Sequence, residues 1–200
     1  NSCVIYRGQR LNHRILRYSY YISQLKDKLD FKQDEKITIC DIGGGFGGLL
    51  RLLKNTYLNS TCILVELPET CLLASYFLKK NFPNSKILLY SDFNKDVNYK
   101  DYDIVILPQN MIKNFEDKSI DLVLNTSSLS EMKNETQDFY LSQIERVTKK
   151  YFYSVNRHKY KMHKYNAQGF YNLKFKKRWN TIIYDFTHTF QLEFLGKVEE

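Results

Sequence analysis

The chain of 200 residues has no apolar run near the ~20 residues that a bilayer span requires, and no charged, apolar and small-residue series of the kind that marks a signal peptide. A membrane-spanning helix is therefore not expected. It has only four cysteines, Cys3, Cys40, Cys62 and Cys71, and no CxxC pair among them. Cys40 and Cys62 fall inside expected strands, where a thiol acts as a small hydrophobe, so the set reads as reduced and the compartment as cytoplasmic. The acids and histidines show no metal-ligand spacing, and a metal-independent chemistry is expected. No repeat and no low-complexity tract breaks the sequence, and its length can bury a core without disulfides or metal, so one fold should account for it. The first residue is Asn1 rather than Met, which leaves room for an upstream piece.

Acids are also missing locally. From position 146 to 184 there are 11 Lys or Arg and no Asp or Glu, and the rest of the chain holds 19 basic and 22 acidic residues. The formal charge of +8 thus belongs to one segment.

Glycine is scarce but concentrated. Five of the eight glycines lie in residues 37–48, ITICDIGGGFGG, where an apolar β-branched run ends in an acid and enters a glycine loop. This pattern predicts a strand, a turn and a helix start. Gly43, Gly45 and Gly47 after Asp41 fit DxGxGxG, while Gly43, Gly45 and Gly48 fit GxGxxG, so two nucleotide-binding registers overlap. Backbone without Cβ atoms can approach a ligand closely, and the next helix offers unpaired N–H groups.

The expected elements follow in order. From Leu11, apolar residues at Leu11, Ile15, Tyr18, Ile22, Leu25 and Leu29 make one stripe of an amphipathic helix of about five turns, with Arg10, Arg14, Arg17 and Lys28 mostly on other faces. Residues 1–35 are read as an N-terminal helical cap and 36–200 as the main domain. After the glycine loop come a helix to Tyr57, a buried strand over 61–66 ending in Glu66, and a helix opened by Pro68 and Glu69. This alternation implies a parallel sheet. Residues 86–90 and 103–107 both look like strands; 103–107 is preferred as the third strand, with 86–90 an edge element. A strand over 121–125, a helix capped by Thr136, a strand over 151–156 and a closing antiparallel hairpin over 179–198 complete the chain.

In such sheets ligands lie beyond the carboxyl ends of the strands, so the loop glycines, Glu66, Gln109 with Asn110, Asn125 and Asn156 should converge on one crevice. Glu66 is placed to accept hydrogen bonds from ribose hydroxyls. Asp41 separates the two registers: it would repel a pyrophosphate such as that of NAD, whereas the cationic S-adenosylmethionine suits it.

DIGGGFGG, VELPET, YFL in the next helix, IDLVLNTSSLSEM, YFYSVNR and FTHTFQLEFLGK together resemble the bacterial sugar O-methyltransferase family, within the class I S-adenosylmethionine-dependent methyltransferases. The resemblance runs from about Arg7 to the end. Its more specific part is NxxSxxEM, at Asn125, Ser128, Glu131 and Met132; Glu66 stands where Asp would be expected before Leu-Pro-Glu. The resemblance implies an α/β, Rossmann-like fold with a mostly parallel seven-stranded sheet, an antiparallel last strand and helices on both faces. It also implies a sugar hydroxyl as acceptor.

A sugar hydroxyl needs a base to take its proton. Glu131 is the first candidate, with the alternative that it caps a helix or anchors Ser127 and Ser128; His158, just after a strand, is the second. His163 and His188 follow no parallel strand. The basic segment, with Tyr160, Tyr165, Tyr171 and Trp179, reads as a site for a nucleotide- or lipid-linked glycan, as a solvated face, or as a nucleic-acid surface. Two other functions stay open. An NAD(P)-dependent oxidoreductase or epimerase lacks its YxxxK pair in the expected downstream helix, and a nucleic-acid methyltransferase lacks an NPPY-type or Cys-nucleophile motif.

Overall fold

A computed structural model describes residues 3–32, 34–94, 96–158, 169, 173–187, 189 and 191–199. The chain opens not with a helix but with a small hairpin of β1 (Cys3–Tyr6) and β2 (Gln9–Asn12), closed by Arg7 and Gly8, both at positive φ. Leu11 is therefore a strand residue, and the first helix, α1 (His13–Lys28), starts two residues later than its apolar stripe suggested. Asn12 sets that start: its side chain accepts the Ile15 amide at 2.8 Å.

The main sheet is assembled from β3 (Thr38–Ile42), β4 (Thr61–Glu66), β5 (Ile87–Leu89), β6 (Ile104–Pro108), β7 (Ile120–Thr126), β8 (Thr148–Arg157), β9 (Trp179–Phe186) and β10 (Gln191–Val198). Between them run α2 (Gly48–Thr56), α3 (Pro68–Asn81) and α4 (Asn134–Val147). The strand order is β5-β6-β4-β3-β7-β8-β10-β9, with parallel pairs up to β8 and antiparallel pairs β8–β10 and β10–β9. The sheet has eight strands, one more than the seven expected. The extra strand is β5, which pairs only with β6 and forms the edge, as its preceding Pro83 and its short apolar run allow. β6 takes the third-strand place beside β4.

Each sheet face carries its own core. On one side Tyr21 and Leu25 of α1, Leu49, Leu50 and Leu53 of α2 and Ala74 and Leu78 of α3 pack against Ile39, Leu64, Leu122 and Tyr153. On the other, Tyr140, Ile144 and Val147 of α4 join Ile112, Phe115 and Leu129 against Cys40, Val65, Val105 and Phe152. The parallel strands are buried on both faces, which is why they read as continuous apolar runs. α1 belongs to the first core through a buried acid: Glu193 of β10 accepts the hydroxyls of Tyr153 at 2.6 Å and Tyr20 at 2.7 Å. No described helix is long and apolar enough to cross a membrane.

Arg146 binds the connection between β6 and β7 by donating to the carbonyls of Ile112 and Phe115 and to Asp117. Lys149 pairs with Asp121 at 3.2 Å and Arg157 with Glu131 at 3.5 Å. The first described stretch of the basic segment, 146–157, is thus engaged with acids from outside it, while Tyr160, His163, Tyr165, Tyr171 and His188 lie outside the described residues.

Candidate functional site

The loop after β3 is shaped by its glycines. Gly43, Gly45 and Gly47 all have positive φ, 73°, 61° and 86°. At Gly43 a Cβ would fall 2.0 Å from the Ser128 hydroxyl, so a side chain is excluded on steric as well as conformational grounds. Gly43 also donates its amide to the Val65 carbonyl at 2.8 Å, which joins the ends of β3 and β4. Gly47 sits against Leu78 at the N-cap position of α2; Gly48 is pressed between Phe46 and Tyr18 and serves helix packing.

Asp41 lies under this loop, fully buried, with Gly44 so close that a Cβ there would be 2.3 Å from its carboxylate. Neither carboxylate oxygen accepts a hydrogen bond among the described residues. Burial first, and then the charge of Glu66, push its pKa up to about 7. A buried carboxylate without donors is costly unless a cation or donor set completes it.

Glu66, at the end of β4, accepts the Gly45 amide at 2.7 Å through one oxygen and the Leu67 amide at 2.8 Å through the other. It lines a pocket of about 510 Å³ with Ile42, Gly43, Gln109, Ser128 and Glu131. This crevice lies beyond the carboxyl ends of β3, β4, β6 and β7, where the sheet order turns from β4 to β7 around β3.

The other expected site residues divide. Gln109 lines the pocket and its carbonyl accepts the Tyr140 hydroxyl at 3.2 Å. Asn110 is exposed in the same short 3₁₀ turn and does not line the pocket. Asn125 is fully buried and committed to structure: it donates to the Ile42 carbonyl at 2.8 Å and accepts the Leu129 amide and the Asn156 side chain at 3.0 Å. It fastens the ends of β3, β7 and β8 together. Glu131 closes a 3₁₀ turn over Leu129–Glu131, lines the pocket and pairs with Arg157. His158 follows β8 with its ring edge-on to Phe186 at 4.9 Å and does not line the pocket.

The pocket also takes in residues that were not among the expected site residues, Ser127, Ser128 and Tyr140 among them. Ser127 is at positive φ (61°) and its hydroxyl accepts the Gln191 amide at 3.0 Å; a β-strand ending in Asn-Thr-Ser-Ser carried that turn signal. Ser128 faces Gly43, and its place in the NxxSxxEM pattern was the clue. Tyr140 read as a core residue, and it is buried, yet its hydroxyl end reaches the pocket; burial and Glu66 push its pKa up to about 12. Among the described residues no group of three or more His, Cys, Asp or Glu is placed to hold a metal.

The chain superposes on a SAM dependent methyltransferase from Aquifex aeolicus with a TM-score of 0.61 at 12% identity, over 91% of this chain and 89% of that one. The fold is that of class I S-adenosylmethionine-dependent methyltransferases. The PH0226 protein of Pyrococcus horikoshii OT3 is similar at a TM-score of 0.63 and 14% identity, over 91% of each chain. Geranyl diphosphate C-methyltransferase from Streptomyces coelicolor A3(2), crystallised with Mg2+, geranyl diphosphate and S-adenosyl-L-homocysteine, gives 0.50 at 17% identity, over 72% of this chain and 47% of that one. No family model matches the sequence, and no curated protein matches it.

Proposed function

We propose that the chain is an S-adenosylmethionine-dependent O-methyltransferase acting on a sugar hydroxyl of a glycan or glycan precursor. The observation that carries the donor half is Asp41: a fully buried carboxylate with no hydrogen-bond donor among the described residues, beneath the glycine loop and beside a second acid, suits a cationic ligand and opposes a phosphate-bearing one. The methyltransferase fold supports the same reading.

When bound, S-adenosylmethionine supplies an electrophilic methyl group on a sulfonium centre. The residues that would hold it are Asp41 of β3, Gly43, Gly45 and Gly47 of the loop, Glu66 at the end of β4, and Gln109 just after β6; of these, Gly43, Glu66 and Gln109 line the pocket. Glu66 already spends its two oxygens on the Gly45 and Leu67 amides, so it shapes the loop as well as offering acceptor lone pairs to a ribose.

Glu131 lines the same pocket from the loop after β7, with more than half of its side chain exposed, and is the group proposed to take the proton of the acceptor hydroxyl. Arg157 beside it orients the carboxylate. The sugar acceptor follows from the resemblance of NTSSLSEM and its flanking segments, and the pocket adds a polar wall of Ser127, Ser128, Thr136 and Gln109 suited to hydroxyl groups. The test is transfer of labelled methyl from S-adenosylmethionine to a panel of sugar phosphates, nucleotide sugars, glycans, RNA and peptides. Label in a carbohydrate ether supports the reading; label confined to RNA or peptide contradicts it.

A further inference from the structure

A second cavity, about 1050 Å³, opens on the other side of the glycine loop, between α1, α2 and α3. Its wall holds Arg14 and Arg17 of α1 and Arg51 of α2, and no Asp or Glu. None of these three arginines forms an ion pair among the described residues, and the buried Nε atoms of Arg17 and Arg51 have no hydrogen-bond partner. Two of the guanidinium groups are held by rings: Arg14 lies over Phe46 at 5.5 Å and Arg17 over Tyr18 at 5.9 Å. The same wall includes Gly48, the first residue of α2, whose N-terminus has no side-chain cap.

Three guanidinium groups that form no ion pair among the described residues, two of them held by rings, favour a polyanion. The amino-acid end of the methyl donor is a zwitterion and matches them poorly, whereas Glu66 and Glu131 line the pocket on the other side of the loop. A phosphate or diphosphate offers two or more negative charges and the oxygen geometry that guanidinium groups pair with bidentately.

We infer that this arginine pocket binds the phosphate or diphosphate of the acceptor, so that the substrate class is a phosphorylated sugar, carried on a nucleotide or a lipid. The inference rests on the methyltransferase reading above, because it assigns the pocket to that enzyme's acceptor. Phe46, which stands between Gly45 and Gly47 of the glycine loop, lies under Arg14 in the wall of this cavity. An anion seated on the arginines would thereby be fixed beside the donor loop.

The experiment is calorimetric titration of the full chain, at low ionic strength, with inorganic pyrophosphate, uridine diphosphate and farnesyl diphosphate, and in parallel with S-adenosylhomocysteine. Saturable pyrophosphate binding is expected, weakened at least about tenfold in Arg14→Gln/Arg51→Gln with S-adenosylhomocysteine affinity unchanged. Arg14→Lys/Arg51→Lys, which keeps the charge, should retain most of the affinity, and Arg51→Gln alone serves if the Gln pair does not fold. Tighter uridine diphosphate than farnesyl diphosphate assigns a nucleotide carrier; the reverse order assigns a lipid carrier. The inference is overturned if the wild-type chain binds no pyrophosphate, if the Gln variant binds it as well as wild type, or if S-adenosylhomocysteine affinity falls in step, which would give the arginines to the donor carboxylate. Absence of S-adenosylhomocysteine binding to the wild-type chain would instead sink the methyltransferase reading, whatever pyrophosphate does.

Discussion

Glu66 reaches back from the end of β4 to the amide of Gly45 at 2.7 Å, so the second strand's terminal acid holds the loop that follows the first strand. A carboxylate accepting a backbone amide is among the stronger kinds of hydrogen bond, and the loop it holds is the proposed donor cradle. Glu66→Ala should therefore weaken S-adenosylhomocysteine by about 10- to 100-fold, corresponding to the ~1.5–3 kcal/mol of a charge-assisted bond. Glu66→Asp, one methylene shorter, should lose the Gly45 contact and fall between the two. Calorimetry reads both, and an unchanged affinity in Glu66→Ala would remove this residue from the donor site.

Asp41 should make the ligand-free chain less stable as pH rises. Its folded pKa, about 7, lies above the ordinary 3.8, because burial and Glu66 disfavour the ionised form. Between those values the folded state binds the extra proton, so the favourable contribution is fully present below pH 4 and is lost as pH climbs to 7. The window carries on the order of a few kcal/mol. Asp41→Asn should flatten the melting temperature across pH 4 to 7 and raise it at pH 8, while abolishing donor binding. Binding of the cationic donor should strengthen from pH 6 to 8 and release a proton at pH 6, measurable by titration in buffers of different ionisation enthalpy.

Tyr153 and Tyr20 share the buried carboxylate of Glu193, at 2.6 and 2.7 Å. Tyr153→Phe leaves that acid short of a donor inside the core and should cost about 1–3 kcal/mol by urea denaturation. Tyr20, which is less buried, should cost less on the same change.

Glu131→Gln keeps the shape of the side chain and removes its basicity. Donor affinity should stay within about twofold, and methyl transfer to the acceptor should fall by roughly 10²- to 10⁴-fold, the usual range for a lost general base. Equal loss of affinity would move Glu131 into the donor site. His158→Ala, whose ring packs on Phe186 away from the pocket, should leave transfer nearly unchanged.

The sequence made the sheet legible where burial is two-sided. The runs that became β3, β4, β6 and β7 are mostly apolar, and Asp41 and Glu66 fall next to or at the ends of two of them. The closing hairpin was legible from its alternation. The opening hairpin was not, because Leu11 sits in phase with the stripe of α1, and only the Arg7–Gly8 turn interrupts it. At the site, a position after a strand did not reveal where a side chain goes: Gln109 faces the pocket, Asn110 faces solvent, and Asn125 turns inward to join three strand ends. Arg14 and Arg17 read as the outward faces of an amphipathic helix. Periodicity locates the apolar face of α1 but carries nothing about Arg51 on another helix, and only the packing of α1 on α2 brings the three together.

The central claim, that the loop around Asp41 receives a cationic methyl donor, is tested most directly by calorimetry of the full chain with S-adenosylmethionine, S-adenosylhomocysteine and NAD. The account predicts saturable binding of S-adenosylmethionine and its product, lost in Asp41→Ala, with no binding of NAD. Binding of NAD alone would contradict it.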